Sequence, residues 1–189
     1  MYSTFIVKDI LWILSKLFLW LSGWKVSGQL PQEKKFVMIA APHTSNWDLP
    51  FMLMVSFALK ARPYWMGKEQ IFKPPFKGLM KWMGGIPIDR SKANNMVEYT
   101  AEIIKQSEEL IVTVPPEGTR SKVKYWKTGF YHIANLAQVP IALGFLDYEK
   151  KVGGIGGVIY TTGEIEKDML NIQAFYKTVR GKNASFYEE

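Results

Sequence analysis

The chain has 189 residues, 48% hydrophobic and 22% charged, which fits one globular domain with a proper core and excludes a disordered chain. It contains no cysteine and two histidines, His43 and His132, so disulfides, thiolate metal sites and a cysteine nucleophile are excluded and a histidine-rich metal centre has few ligands to draw on. The net charge of +7 suits a nucleic acid or an anionic membrane equally, and its sign alone does not choose.

Residues Phe5 to Leu21 are almost continuously apolar, but polar residues recur as Lys8 and Asp9, Ser15 and Lys16, then Ser22. A recurrence of about seven places them on one narrow helical stripe. Three charges in so short a segment disfavour a transmembrane span. The segment is predicted to lie in the headgroup region of an anionic membrane, with Trp12, Trp20 and Trp24 near the interface. A cleaved signal peptide is disfavoured by those charges and by the lack of a small-residue cleavage site. A helix buried against the domain is the alternative, but the apolar face is wider than a small domain needs to cover. The expected division is residues 1–24 as an interfacial helix and 25–189 as the folded domain.

Gly23 to Leu30 is predicted as a turn and short strand, Pro31 to Lys35 as a polar turn, and Phe36 to Ala41 as the first central strand, stopped by Pro42. His43 and Asp48 follow, and Leu49 to Lys60 is amphipathic. On one continuous helix His43 and Asp48 would be roughly 140° apart around the axis and about 7.5 Å apart along it, too far for a hydrogen bond. His43 must therefore precede the helix, with Asn46 as predicted N-cap and Pro50 early enough to be tolerated. The loop can then fold His43 back onto Asp48, which the positive end of the helix dipole keeps ionised. A His held at one ring nitrogen by a carboxylate keeps the other nitrogen free to take a proton, the base-and-orienter half of a triad. The plainer alternative is a capped helix that a His happens to precede.

Pro63 to Met66 reads as a strand ending at Gly67, followed by Lys68-Glu69. Ile71 to Met83 is helical after Pro74 and Pro75, and its Phe72, Phe76, Leu79, Met80 and Trp82 suit either a core or a lipid-facing wall. Ile86 to Asp89 is a short strand, and Arg90 at its carboxyl end is placed to grip a phosphate. Ala93 to Glu109 is a helix with a charged outer face, and Leu110 to Val114 a central strand. Pro115-Pro116 stops that strand. Glu117-Gly118-Thr119-Arg120 then forms a sharp loop in which Gly118 admits close approach of a ligand and Arg120 offers a second cation; an ordinary turn closed by a Glu117–Arg120 pair is the alternative. Thr128 to Gln138 is a helix on which His132, beside Asn135 and Leu136, reads as a packed structural residue. Val139 to Leu146 is a strand. The glycines of K-V-G-G-I-G-G-V form no nucleotide loop and are assigned to a hairpin leading into a strand at Val158 to Thr162. Glu166 to Arg180 is the last helix. No repeat, low-complexity stretch or linker interrupts the chain.

Four segments occur in order across roughly residues 35 to 147: P-H-T-S-N-W-D, G-G-I-P-I-D-R-S (Gly84 to Ser91), V-P-P-E-G-T-R-S (Val114 to Ser121) and V-P-I-A-L-G (Val139 to Gly144). Together they resemble the four blocks of the glycerophospholipid acyltransferase family, which includes the lysophosphatidic acid acyltransferases. Two departures concern acceptor choice more than reaction type: Pro42 stands where Asn is common, and A-L-G replaces a second V-P-like step.

The resemblance implies acyl transfer from acyl-CoA or acyl-carrier protein to the hydroxyl of a lysophospholipid-type acceptor, with no metal or other cofactor. His43 would be the general base and Asp48 its orienter, with no acyl-enzyme. Arg90, Arg120, the Glu117-Gly118-Thr119 loop and, as a minor candidate, Lys68 would meet the acceptor. Thr44 and Ser45 read as caps, and N–H groups just after His43 are the expected oxyanion donors. The expected architecture is a single α/β domain, a central mixed sheet flanked by helices, held by its amphipathic N-terminal helix on the cytoplasmic face of an anionic membrane. That placement explains the basic charge without nucleic acid. The alternatives are a CoA-independent transacylase, an esterase using water or Ser45, or a silent membrane- or anion-binding module.

Overall fold

The computed structural model describes residues 5–88, 96–119 and 123–183. Among the described residues seven strands, β1 (Lys25–Ser27), β2 (Lys35–Ala41), β3 (Pro63–Lys68), β4 (Gly85–Ile88), β5 (Leu110–Val114), β6 (Ile141–Asp147) and β7 (Val152–Ile159), form one sheet in the order β1-β7-β6-β2-β5-β3-β4. Every pair is parallel except β6 with β7, so the sheet is mixed, as expected. The helices are α1 (Phe5–Leu21), α2 (Asp48–Ala58), α3 (Lys77–Trp82), α4 (Met96–Gln106), α5 (Gly129–Ala137) and α6 (Ile165–Tyr176).

The central strands are apolar without alternation because both faces of the sheet are covered. Val37, Ile39 and Ala41 of β2 join Leu110 and Val112 of β5 and Ile141 and Leu143 of β6 under α4, α5 and α6. Phe36, Met38, Ile111, Ala142 and Ile155 point the other way. On that side α2 lies over the sheet, and α1 packs on α2 through a cluster of Leu19, Trp24, Val55 and Leu146.

Topology explains this division. The crossovers β2 to β3 and β3 to β4 run toward one edge, while β4 to β5 and β5 to β6 run back. Right-handed connections therefore place α2 and α3 on one face and α4 and α5 on the other. Strands β2 and β5 are neighbours whose outgoing chains depart to opposite faces, so a crevice opens at their carboxyl ends, where open α/β sheets bind ligands.

Four local expectations are corrected. The glycine run lies inside β7, not in a turn: a Cβ on Gly156 would fall 1.9 Å from the Phe175 ring, and one on Gly153 would fall 2.8 Å from Val55 and Leu146 side-chain atoms. Close packing of α6 and α2, not chain reversal, is what those positions require. His132 is exposed, because the buried side of α5 is Phe130, Tyr131, Ile133, Ala134 and Ala137 and residue 132 falls away from it. Trp24 is buried against Phe51 and Tyr148, with ring centroids 4.4 and 4.9 Å away, because Gly23 at φ +75° turns the chain back onto α2. The polar stripe of α1 does not all face water: Ser15 is fully buried and donates to the Trp12 carbonyl, while Trp12 carries the Lys16 and Lys60 amines over its ring. Trp20 alone of the three tryptophans is exposed as expected, at 74%.

Candidate active site

The chain leaves β2 at Ala41 and re-enters helix at Asp48, so residues 42–47 form the floor of the crevice. Trp47, not Asn46, is the residue before the helix, and it makes no side-chain cap. Capping runs in reverse. The Asp48 side chain reaches back and accepts the N–H groups of Thr44 and Ser45 on Oδ2, at 2.8 and 2.9 Å. The same oxygen meets His43 Nδ1 at 3.0 Å, so the loop folds His43 onto Asp48 as the sequence predicts. An oxygen that already accepts two N–H groups is an acceptor toward the imidazole as well. Nδ1 therefore carries a proton, and in the neutral imidazole Nε2 presents the lone pair.

Asp48 is buried, which alone would raise its pKa. The donors from His43, Ser45, Tyr148 and Thr44 outweigh burial and hold the carboxyl below the usual aspartate value. His43 keeps 30% of its side chain exposed, so the imidazole is held from behind and open in front.

Glu117 follows β5 and is brought against the same loop, its Oε1 accepting the His43 N–H at 3.3 Å. Its Oε2 is buried and has no hydrogen-bond partner among the described residues. Burial pushes its pKa up, against the hydrogen bonds from its own and the His43 N–H, which pull it down. Gly118 has φ +65°, which favours glycine, and a Cβ there would stand 2.8 Å from the Lys127 amine. Lys127, unforeseen in the sequence, is thus a cation at this loop; its own N–H donates to the Pro116 carbonyl at 2.8 Å, which fixes the approach. Thr119 is exposed beside Gly118. Lys68 ends β3 on the same edge of the sheet, two strands from β2. Arg90 and Arg120 lie outside the described residues.

The expected oxyanion donors are largely spent. The N–H groups of Thr44 and Ser45 serve Asp48, that of His43 serves Glu117, and that of Trp47 goes to Ser45 Oγ at 3.2 Å. The hydroxyls of Thr44 and Ser45 are acceptors but not the expected helix caps: Thr44 Oγ1 takes the Asn183 N–H at 3.3 Å, Ser45 Oγ takes that of Trp47 at 3.2 Å, and the start of α2 has no side-chain cap.

Behind His43 a cavity of about 310 Å³ runs between α2 and the sheet. His43 and Asp48 line one part of it, and Met38, Met52, Leu59, Trp65 and Ile155 are among its apolar walls. A base with a free lone pair at an apolar pocket suits proton removal from a polar group on a molecule whose hydrocarbon part is sheltered from water.

An α/β domain with a His–Asp pair at a sheet switch point and an apolar cavity beside it defines a class with known members. A family model described as Acyltransferase matches residues 24–142, and the chain belongs to this acyltransferase family. The 1-acyl-sn-glycerol-3-phosphate acyltransferase of Haemophilus influenzae is 34% identical over 131 residues, covering 64% of this chain and 53% of that protein. The chain thus spans about half the length of this curated relative. The crystal structure of the 1-acyl-sn-glycerophosphate (LPA) acyltransferase PlsC from Thermotoga maritima shares the fold at a TM-score of 0.64 and 20% identity, over 90% of this chain and 77% of that one.

Proposed function

We propose that this chain moves a fatty acyl group from the thioester of acyl-CoA or acyl-carrier protein to the hydroxyl of a lysophospholipid-type acceptor resembling 1-acylglycerol 3-phosphate. The observation that carries this reading is the His43–Asp48 pair beside the apolar cavity. His43 Nε2 takes the hydroxyl proton as the acceptor oxygen attacks the thioester carbonyl carbon. Asp48 holds the imidazole in the required tautomer and offsets the charge it gains. The tetrahedral adduct collapses with cleavage of the carbon–sulfur bond, and the imidazolium gives its proton to the departing sulfur. The products are an ester and a free thiol, with no acyl-enzyme. The acyl chain occupies the cavity.

The unpartnered Glu117 Oε2 is suited to accept a hydrogen bond from the acceptor, and Lys127, Arg90, Arg120 and, less centrally, Lys68 supply cations for its phosphate. The neighbouring loop of Gly118 and Thr119 brings backbone close to that group. Among the described residues no helix is long and apolar enough to cross a membrane. The exposed apolar side of α1 supports attachment to the surface of an anionic membrane, on its cytoplasmic face.

The test is purified full-length chain with lysophosphatidic acid presented in vesicles, with and without acyl-CoA. The expected result is new phosphatidic acid matched by released thiol. Product formed without thioester identifies a transacylase, hydrolysis of lipid an esterase, and binding without turnover a silent module; each overturns the proposal.

A further inference from the structure

We propose that Tyr148 is a positioning residue of the His43–Asp48 pair, donating its hydroxyl to the side of the carboxylate that the catalytic loop leaves open. This rests on the acyl-transfer reading above. The loop supplies three donors to Asp48, all of them on Oδ2: His43 Nδ1, the Thr44 N–H and the Ser45 N–H. Oδ1 receives the Tyr148 hydroxyl at 2.8 Å, from a residue 100 positions away. The terminal torsion of an aspartate is soft, so donors on one oxygen leave the carboxylate plane free to swing about that oxygen. A donor on the other oxygen fixes the plane, and with it the direction in which Oδ2 meets the imidazole.

Tyr148 is itself held from several sides. It directly follows β6, neighbour of β2 in the sheet, and its N–H donates to the Arg180 carbonyl at 2.9 Å. Its ring lies edge-on to Trp24 and Phe51, at 4.9 and 5.8 Å between centroids. The turn that carries it is tied by buried Asp147, which accepts the Lys150 N–H at 3.0 Å and faces the Lys150 amine at 3.1 Å. Burial and the adjacent Asp48 carboxylate push the Tyr148 phenol far above its ordinary value, which favours the donating form.

The next piece of chain acts on the same loop. Asn183 donates its side-chain amide to the Thr44 carbonyl at 2.9 Å and its N–H to Thr44 Oγ1 at 3.3 Å. A Cβ on Gly181 would fall 2.7 Å from Thr44 Oγ1, so this segment lies directly on the loop. The Lys182 amine stands 4.8 Å from the Trp47 ring and 5.9 Å from that of Tyr148. Tyr148, Gly181, Lys182 and Asn183 lie beyond the stretch 24–142 that the family model matches. The loop that carries the chemistry is thus aligned by chain outside that stretch.

Tyr148→Phe in the full-length chain tests this, because phenylalanine keeps the ring against Trp24 and Phe51 and removes only the donor. With acyl-CoA and lysophosphatidic acid, kcat is expected to fall on the order of tenfold, the scale of one hydrogen bond to a charged group, while both KM values stay within about twofold and the melting temperature within a few degrees. A second readout needs no turnover. The chain has two histidines, so His132→Gln assigns the His43 Nδ1 proton by NMR. In Tyr148→Phe that resonance is expected to broaden and exchange faster with solvent. Unchanged kcat and an unchanged Nδ1 resonance overturn the proposal, and so does a loss of kcat that only tracks a loss of folded protein. If wild-type protein transfers no acyl group, the functional reading fails, and the NMR result alone decides whether Tyr148 positions the pair.

Discussion

The two faces of the sheet are built to different ends. Beneath α4, α5 and α6 the side chains close completely: Phe130, Ile141, Ile172 and Ile104 have no exposure. On the opposite face α1 carries Ile13, Leu14, Trp20 and Leu21, and α3 with the residue before it carries Phe76, Leu79 and Trp82, all at roughly half exposure or more, and α3 contains no buried residue. The apolar residues exposed on the closed face, Tyr99, Leu136 and Leu170, stand one to a helix, which is ordinary for a protein surface. The cavity lies on the open face, between α2 and the sheet. One face is a closed core, and the other leaves apolar side chains exposed on its helices. Apolar residues exposed along one side of a helix, as Ile13, Leu14, Leu17 and Leu21 are on α1, signal a partner or a membrane.

That contrast can be broken most severely from the closed side. Phe130→Ala empties a fully buried site and is expected to destabilise the domain by about 3–5 kcal/mol, whereas Leu79→Ala on α3 is expected to stay within about 0.5 kcal/mol. Chemical denaturation of both variants decides it. Equal losses would mean that α3 belongs to the core.

The comparison is sharpened by moving charge across the two faces. Trp20→Glu and Phe76→Glu are each expected to weaken flotation with anionic liposomes about tenfold or more, because each removes a large apolar side chain and adds repulsion. Leu136→Glu and Leu170→Glu are expected to change it less than twofold. Similar losses on both faces would remove the reason to treat them differently.

How far the site could be read from sequence follows from how local its parts are. His43 and Asp48 are five positions apart, and the conflict between their spacing and a continuous helix forces the loop that pairs them. Central strands announce themselves through unbroken apolar runs such as Phe36 to Ile39. Tyr148, Asn183 and Lys127 carry no such signal: Tyr148 and Asn183 reach the site only because the β2–β6 pairing and the last helix bring distant chain to it, and Lys127 because its N–H ties the chain back to the Pro116 carbonyl. Trp24 and Ser15 mislead for the same reason, since one looks like an interface anchor and the other like a solvent stripe until α2 is there to cover them. The glycines of β7 resemble a turn because local sequence does not reveal that Phe175 and Val55 press on them.

The smallest expected effect concerns Glu117. Burial raises its pKa above the ordinary 4.5, so the charge costs the folded state. The stability this group allows is fully present below the unfolded pKa and is lost as pH rises through the folded one. Glu117→Gln keeps an acceptor for the His43 N–H and removes that charge. Its melting temperature is expected to match wild type near pH 4 and to exceed it near pH 8. Parallel curves at all pH values would show that Glu117 is already neutralised by a partner.

The measurement that bears most directly on the central claim is turnover by His43→Ala and Asp48→Asn, with folding checked by circular dichroism. If His43 is the base and Asp48 its orienter, both folded variants lose acyl transfer by three orders of magnitude or more, about 4 kcal/mol of transition-state stabilisation, while thermal unfolding of His43→Ala stays close to wild type. Folded His43→Ala that retains more than about 5% of wild-type turnover would place the proton transfer on another group and contradict the account.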